Sequence, residues 1–255
     1  MRKGRWLLGL AVLAALLAVA VPVAQAAPNP IQIPTFQNIQ PAETPQEGIQ
    51  TIQLLLLLTV LSLAPSILIL TTSFTRIVIV LGFLRTALGS QQLPPNQVLM
   101  GLALFLTFAI MAPTFTAINE TALQPYLRGE LQQNEALDRA SIPLKEFMLR
   151  QTREADLNLM LEITQKPAPN GPEELSFFTI VPAFAISELK TAFTMGFLLF
   201  LPFVIIDLVT ASTMMSLGMM MIPPMLVSLP FKILLFVLVD GWHLVVRSLY
   251  ESFQL

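Results

Sequence analysis

Residues 197–241 read FLLFLPFVIIDLVTASTMMSLGMMMIPPMLVSLPFKILLFVLVDG, two apolar runs joined by a short interval that holds Gly218 and the pair Pro223-Pro224. A glycine just past an apolar run stops a helix, and a proline shortly beyond it suits the first turn of the next. The stretch therefore predicts an α-helical hairpin with a methionine-rich tip at Met219, Met220 and Met221. Folding at that tip fixes a register. Asp207 stands about a dozen residues before the tip and Lys232 about a dozen after it, so both lie roughly 19 Å from the turn at 1.5 Å per residue. An Asp207 to Lys232 ion pair is expected, within one chain or between neighbouring copies, because an unpaired charge in apolar surroundings is costly. The alternative is that Lys232 snorkels and Asp207 meets water by itself.

Working outward, the apolar pattern covers Phe177 to Leu208 and Met225 to Leu249 around this hairpin. Upstream, Ile52 to Leu70 is almost wholly apolar and continues past Arg76 to Leu84, with a bend expected at Pro65. Val98 to Ile118 is a further apolar run, divided from the preceding one by Gly89 to Asn96, whose Pro94, Pro95 and Asn96 suit a turn. The expectation is an all-α membrane protein of about four long apolar helices. These would form two hairpins, over residues 51–118 and 177–250, with an amphipathic helical segment at 119–176 between them. Composition agrees with a membrane habitat, since 55% of the 255 residues are hydrophobic and only 12% charged, and mean hydropathy is +0.71.

At the N-terminus, Arg2, Lys3 and Arg5 precede an apolar run from Trp6 to Val21, followed by Ala24-Gln25-Ala26. This is the pattern of a secretory signal over residues 1–26, cleaved between Ala26 and Ala27, with an uncleaved anchor helix as the alternative. Residues 27–50, rich in Pro, Gln and Thr, read as an extended tether. Between the first two spans lie Arg76 and Arg85 with no acid, whereas residues 120–174 carry ten acidic residues against six basic ones. Positive charge favours the cytoplasmic side, so the 119–176 segment is expected to be periplasmic, as the signal also implies.

Several function classes are excluded. With no cysteine and one histidine, His243, thiol chemistry, disulfides and multi-histidine metal sites have no ligands. A formal charge of −2 without a basic stripe argues against nucleic acid. The chain has no G-x-S-x-G, H-E-x-x-H or P-loop pattern, and the hairpin register separates Asp207 from Asp240 in depth, so no enzyme and no cofactor are expected. Of the ionisable residues inside the apolar runs, the informative ones are Glu188, Lys190, Asp207, Lys232 and Asp240, and these are the functional candidates.

Three segments and their flanks carry a family resemblance: residues 72–81 (TSFTRIVIVL), 94–99 (PPNQVL) and 182–189 (PAFAISEL). It continues through Asp207, the Met219 to Met221 triplet and residues 229–242 (LPFKILLFVLVDGW), covering nearly everything from Gly48 to Leu249. In these the chain resembles the FliP flagellar biosynthesis proteins and the related SctR proteins of virulence type III secretion. That resemblance implies a pore-forming core subunit of an export gate in the bacterial inner membrane, within the flagellar basal body. Such subunits assemble with their own copies in a ring and with FliQ and FliR, alongside FlhB and FlhA, and exported flagellar proteins are the substrates. It further implies a gasket role for Met219, Met220 and Met221, and makes Glu188, Arg76 and Arg85 candidate subunit contacts. The cleavable signal favours the flagellar branch over the virulence one. A proton-coupled carrier using Asp207 and Lys232 is the reading from another class, and it lacks the paired broken helices of such carriers.

Overall fold

The computed structural model describes residues 45–90, 93–165, 171, 175–219 and 222–253. All regular elements among these are helices: α1 (Pro45–Thr71), α2 (Phe74–Ala87), α3 (Asn96–Ile118), α4 (Gln124–Leu127), α5 (Gln133–Gln151), α6 (Glu154–Ile163), α7 (Phe177–Ser216), α8 (Pro224–Leu238) and α9 (Gly241–Glu251), with a π turn at Asn119–Leu123. Contacts divide the chain into residues 1–57 and 58–255, and the packing given below lies within the second unit. In the first unit, the described N-terminal part of α1 exposes Ile52, Leu55, Leu56 and Leu57.

The apolar run from Ile52 to Leu84 is two helices, not one, and the break is chemical. Thr71 and Thr72 turn their hydroxyls back onto the carbonyls of Ile67 and Leu68 at 2.8 and 2.7 Å, and Thr75 bonds the carbonyl of Ile69 at 2.8 Å. Those side chains satisfy acceptors that a continuing helix would have used, so α1 closes there and α2 starts afresh. Pro65 stays inside α1, leaving the Leu61 carbonyl without its usual donor. Gly89, at φ +75, ends α2 in the left-handed conformation that glycine adopts without steric cost. At the far end of α3, Pro125 cannot donate, and the turn ahead of it widens so that Gln124 N–H reaches Asn119 O.

Two buried clusters hold the unit together. One gathers Ile77, Leu81 and Leu84 of α2 with Ala103 of α3, Ala192 of α7, Phe236 of α8 and Leu249 of α9. The other joins Met111 of α3, Phe147 and Met148 of α5, Leu161 of α6, and Ile180 and Phe184 of α7. Helices α2 and α7 run side by side in one direction. Their approach is set by Gly196, where any Cβ would stand 2.5 Å from the Phe83 ring. Large apolar side chains remain exposed along α7, among them Phe193, Phe197, Leu198, Ile205 and Leu208. Such a face suits lipid or other protein surfaces rather than water. Residues 96–127 and 177–216 are long and apolar enough to cross a membrane, and α8 with α9 forms a third such stretch, bent by 64°. The expected straight run from Met225 to Leu249 is thus broken at Val239-Asp240.

Candidate functional site

The hairpin between α7 and α8 turns at Gly218, φ +74, and restarts at Pro224 behind Pro223. Ser228 and Lys232, four residues apart on α8, share one face, and that face meets Asp207 of α7. Lys232 Nζ lies 2.6 Å from Asp207 Oδ2, and Ser228 Oγ donates to Oδ1 at 2.6 Å. Both carboxylate oxygens are therefore occupied within the chain. The pair is asymmetric: the lysine side chain is 3% exposed and the aspartate 35%. The lysine tip also rests against the turn between α2 and α3, where a Cβ added to Gly89 would lie 3.6 Å from Nζ. The ion pair thus ties the hairpin to that turn.

A second polar centre lies deeper. Arg76 of α2 is 2% exposed and Glu188 of α7 is 0%. The guanidinium donates from Nε to Glu188 Oε2 at 2.9 Å and from Nη2 to Glu188 Oε1. It also donates from Nη2 to Gln151 Oε1 at 3.0 Å, and from Nη1 to Ser252 O and Oγ at 2.8 and 2.9 Å. All five N–H groups of the side chain have acceptors. The Phe253 ring covers the guanidinium, its centroid 3.8 Å from Cζ, and Gln151 Nε2 reaches Phe253 O at 3.3 Å. One arginine therefore joins α2, α5, α7 and the turn after α9. Beside it, Ser187 donates to Asp156 Oδ2 at 2.6 Å, Arg153 reaches the same oxygen at 2.5 Å, and α6 is tied to α7.

This placement changes the reading of two residues. Arg76 and Glu188, expected as subunit contacts, are paired with each other inside the chain and almost wholly buried, where the directed donors of the guanidinium and the two carboxylate oxygens offset part of the desolvation that burial costs. Arg85 is half-exposed and, among the described residues, has no carboxylate within ion-pair distance. Met219 is 43% exposed at the hairpin tip and lines an apolar hollow of about 530 Å³ with Val209, Met214 and Phe231. Met220, Met221, Ala26 and Ala27 lie outside the described residues. Lys190 is exposed on α7, and Asp240 is exposed at the start of α9. Sequence reasoning did not find Gln151, Ser252 or Phe253 as partners of Arg76. Gln151 and Ser252 stand 75 and 176 residues from Arg76 and Phe253 follows Ser252 directly, so no local spacing betrays them. Among the described residues no group of three His, Cys, Asp or Glu is placed to hold a metal ion.

Comparison with known proteins gives a consistent result. The model of the FliP family matches residues 57–249. The flagellar biosynthetic protein FliP of Bacillus subtilis (strain 168) is 58% identical over 218 residues, 86% of this chain and 99% of its own. The protein of the same name from Caulobacter vibrioides is 56% identical over 205 residues, 80% of this chain and 77% of its own. That of Aquifex aeolicus is 52% identical over 224 residues, 86% of this chain and 94% of its own.

Proposed function

Because the chain belongs to the FliP family, we propose that it is a pore-forming core subunit of the flagellar type III export gate, conducting unfolded flagellar proteins across the bacterial inner membrane. The observation that carries this reading is the similarity over residues 57–249, a span that contains both ion pairs and the methionine-rich stretch. Relatives sharing half or more of their residues bear the name flagellar biosynthetic protein, which supports the flagellar branch over the virulence one. In this reading the chain has no catalytic activity. It works as a ring of its own copies with FliQ and FliR, next to FlhB and FlhA, in the basal body.

The chemistry of the parts suits that role. A conduit subunit needs helices that hold position in surroundings where apolar burial supplies no driving force between them, and polar ties then carry the specificity. Asp207 with Lys232 fixes the hairpin, and Arg76 with Glu188 fixes the helices behind it. Met219, Met220 and Met221 at the tip supply flexible apolar side chains suited to closing on varied shapes. Arg85 is kept as a candidate contact for a neighbouring subunit, and the 119–176 segment as a periplasmic element. Deleting the gene in its host tests the reading. Loss of flagella and of secreted hook and filament proteins, restored by the intact chain, is expected; a mutant that swims normally overturns it and favours a solute carrier.

A further inference from the structure

Residues 224–251 hold two opposed structural preferences at one point. The apolar helix pattern on either side is interrupted only by Asp240-Gly241, a turn dipeptide with no proline beside it, and the chain turns by 64° there. Asp240 sits at φ 49 and ψ 54, a left-handed conformation that aspartate enters more readily than most side-chain-bearing residues but still at a cost. The hydrogen-bond ladder runs out with Val239 N–H on Leu235 O and Asp240 N–H on Val237 O, then restarts with Leu244 N–H on Asp240 O. The N–H groups of Gly241, Trp242 and His243 are thereby left out of the ladder, which in apolar surroundings favours a continuous helix.

What opposes straightening is tertiary. The Phe236 ring lies so close to Gly241 that a Cβ there would meet it at 2.2 Å, and Trp242 meets the same ring edge-on at 5.4 Å. Leu249 is fully buried, and Ser252 and Phe253 are held by Arg76. Remove those contacts and only the Asp240-Gly241 pair itself still favours the bend.

We propose that Val239-Asp240-Gly241 is a two-state elbow: bent, with the C-terminal turn latched onto Arg76, or straight, with residues 224–251 forming one helix long enough to cross a bilayer. Bent, α9 has 11 residues and is too short to cross alone. The elbow thus determines whether the C-terminal turn docks on α2 and α7 or is carried away from them.

The chain has no cysteine, so Leu226→Cys and Tyr250→Cys, both at exposed positions, give a clean pair for spin labels. Helix rise places these backbone positions about 36 Å apart when straight and about 31 Å apart when bent by the observed angle. Pulsed dipolar spectroscopy on the full-length protein in detergent and in lipid nanodiscs should resolve both populations. Gly241→Ala should shift weight to the longer distance, and Asp240→Gly, which tolerates the left-handed turn, to the shorter. Should Gly241→Ala fail to fold, Asp240→Ala carries the same expectation as a milder change. A single short distance, unmoved by any of these substitutions, overturns the proposal.

Discussion

Replacing Arg76 by Ala would leave Glu188 without its cation in a site that is 0% exposed, and would release Gln151, Ser252 and Phe253 together. Removing one partner of a buried, hydrogen-bonded pair costs on the order of 3–5 kcal/mol, most of it the stranded charge. At about 2–4 °C per kcal/mol for a chain of this size, that is a fall in Tm of roughly 6–20 °C. Arg76→Lys keeps the charge but offers three donors from one atom where five directed ones are used, so it should fall between Ala and the native chain. The double variant Arg76→Met with Glu188→Leu removes both charges and fills the volume, and buried pairs replaced in that way are often neutral or better. The assay is thermal unfolding of detergent-purified protein, followed by tryptophan fluorescence or by loss of monodispersity. A double apolar variant as unstable as Arg76→Ala would refute the stranded-charge reasoning, leaving lost shape or the lost C-terminal tie as the cause. Unchanged stability in both single variants would refute the centre altogether.

The unequal exposure of the hairpin pair makes its two halves unequal. Asp207→Ala strands a lysine that is 3% exposed, while Lys232→Ala strands an aspartate that is 35% exposed, so the first should be the more destabilising, both should lower motility, and the exchanged pair Asp207→Lys with Lys232→Asp should recover part of the loss; equal swimming of both single variants and wild type would sink the pairing role. Replacing Met219, Met220 and Met221 together by Ala should leave the complex assembled but leaky, read as faster entry of small ions, since mobile apolar side chains seal a constriction by excluding water; an assembled, tight triple variant would make the triplet mere packing. N-terminal sequencing of the mature protein should begin at Ala27, and recovery of Met1 would overturn the cleavage expectation.

The all-helical fold was readable because its signals are local: apolar runs, Gly218, the Pro223-Pro224 pair, and the turn at Gly89. The proximity of Asp207 to Lys232 was readable for the same reason, since a hairpin of known tip converts sequence spacing into register. Two breaks were missed. At Thr72-Ser73 the apolar count carries no sign that hydroxyls will bond back to α1 carbonyls, and at Asp240 the same count passes over Asp240-Gly241, a local turn signal beside which the Phe236 ring fills the space. The Arg76 centre was hidden more deeply. Its partners come from α5, α7 and the last turn of the chain, and only the packing of α2 beside α7 brings them to one point. The resemblance made Arg76 and Glu188 candidate contacts for other subunits, because nothing in the linear sequence registers that they would find each other.

The most direct test of the gate reading is to catch a substrate in transit. A photo-crosslinking residue placed in turn at positions 219, 220 and 221, in cells carrying an export substrate fused to a folded domain that stalls it, should capture that substrate at the hairpin tip. A control at Leu137, exposed on α5, should capture none. Crosslinks at the tip that vanish when the substrate lacks its export signal are what the account predicts. An exported substrate that never crosslinks to any of the three positions, in a strain where the variants still support secretion, would contradict it.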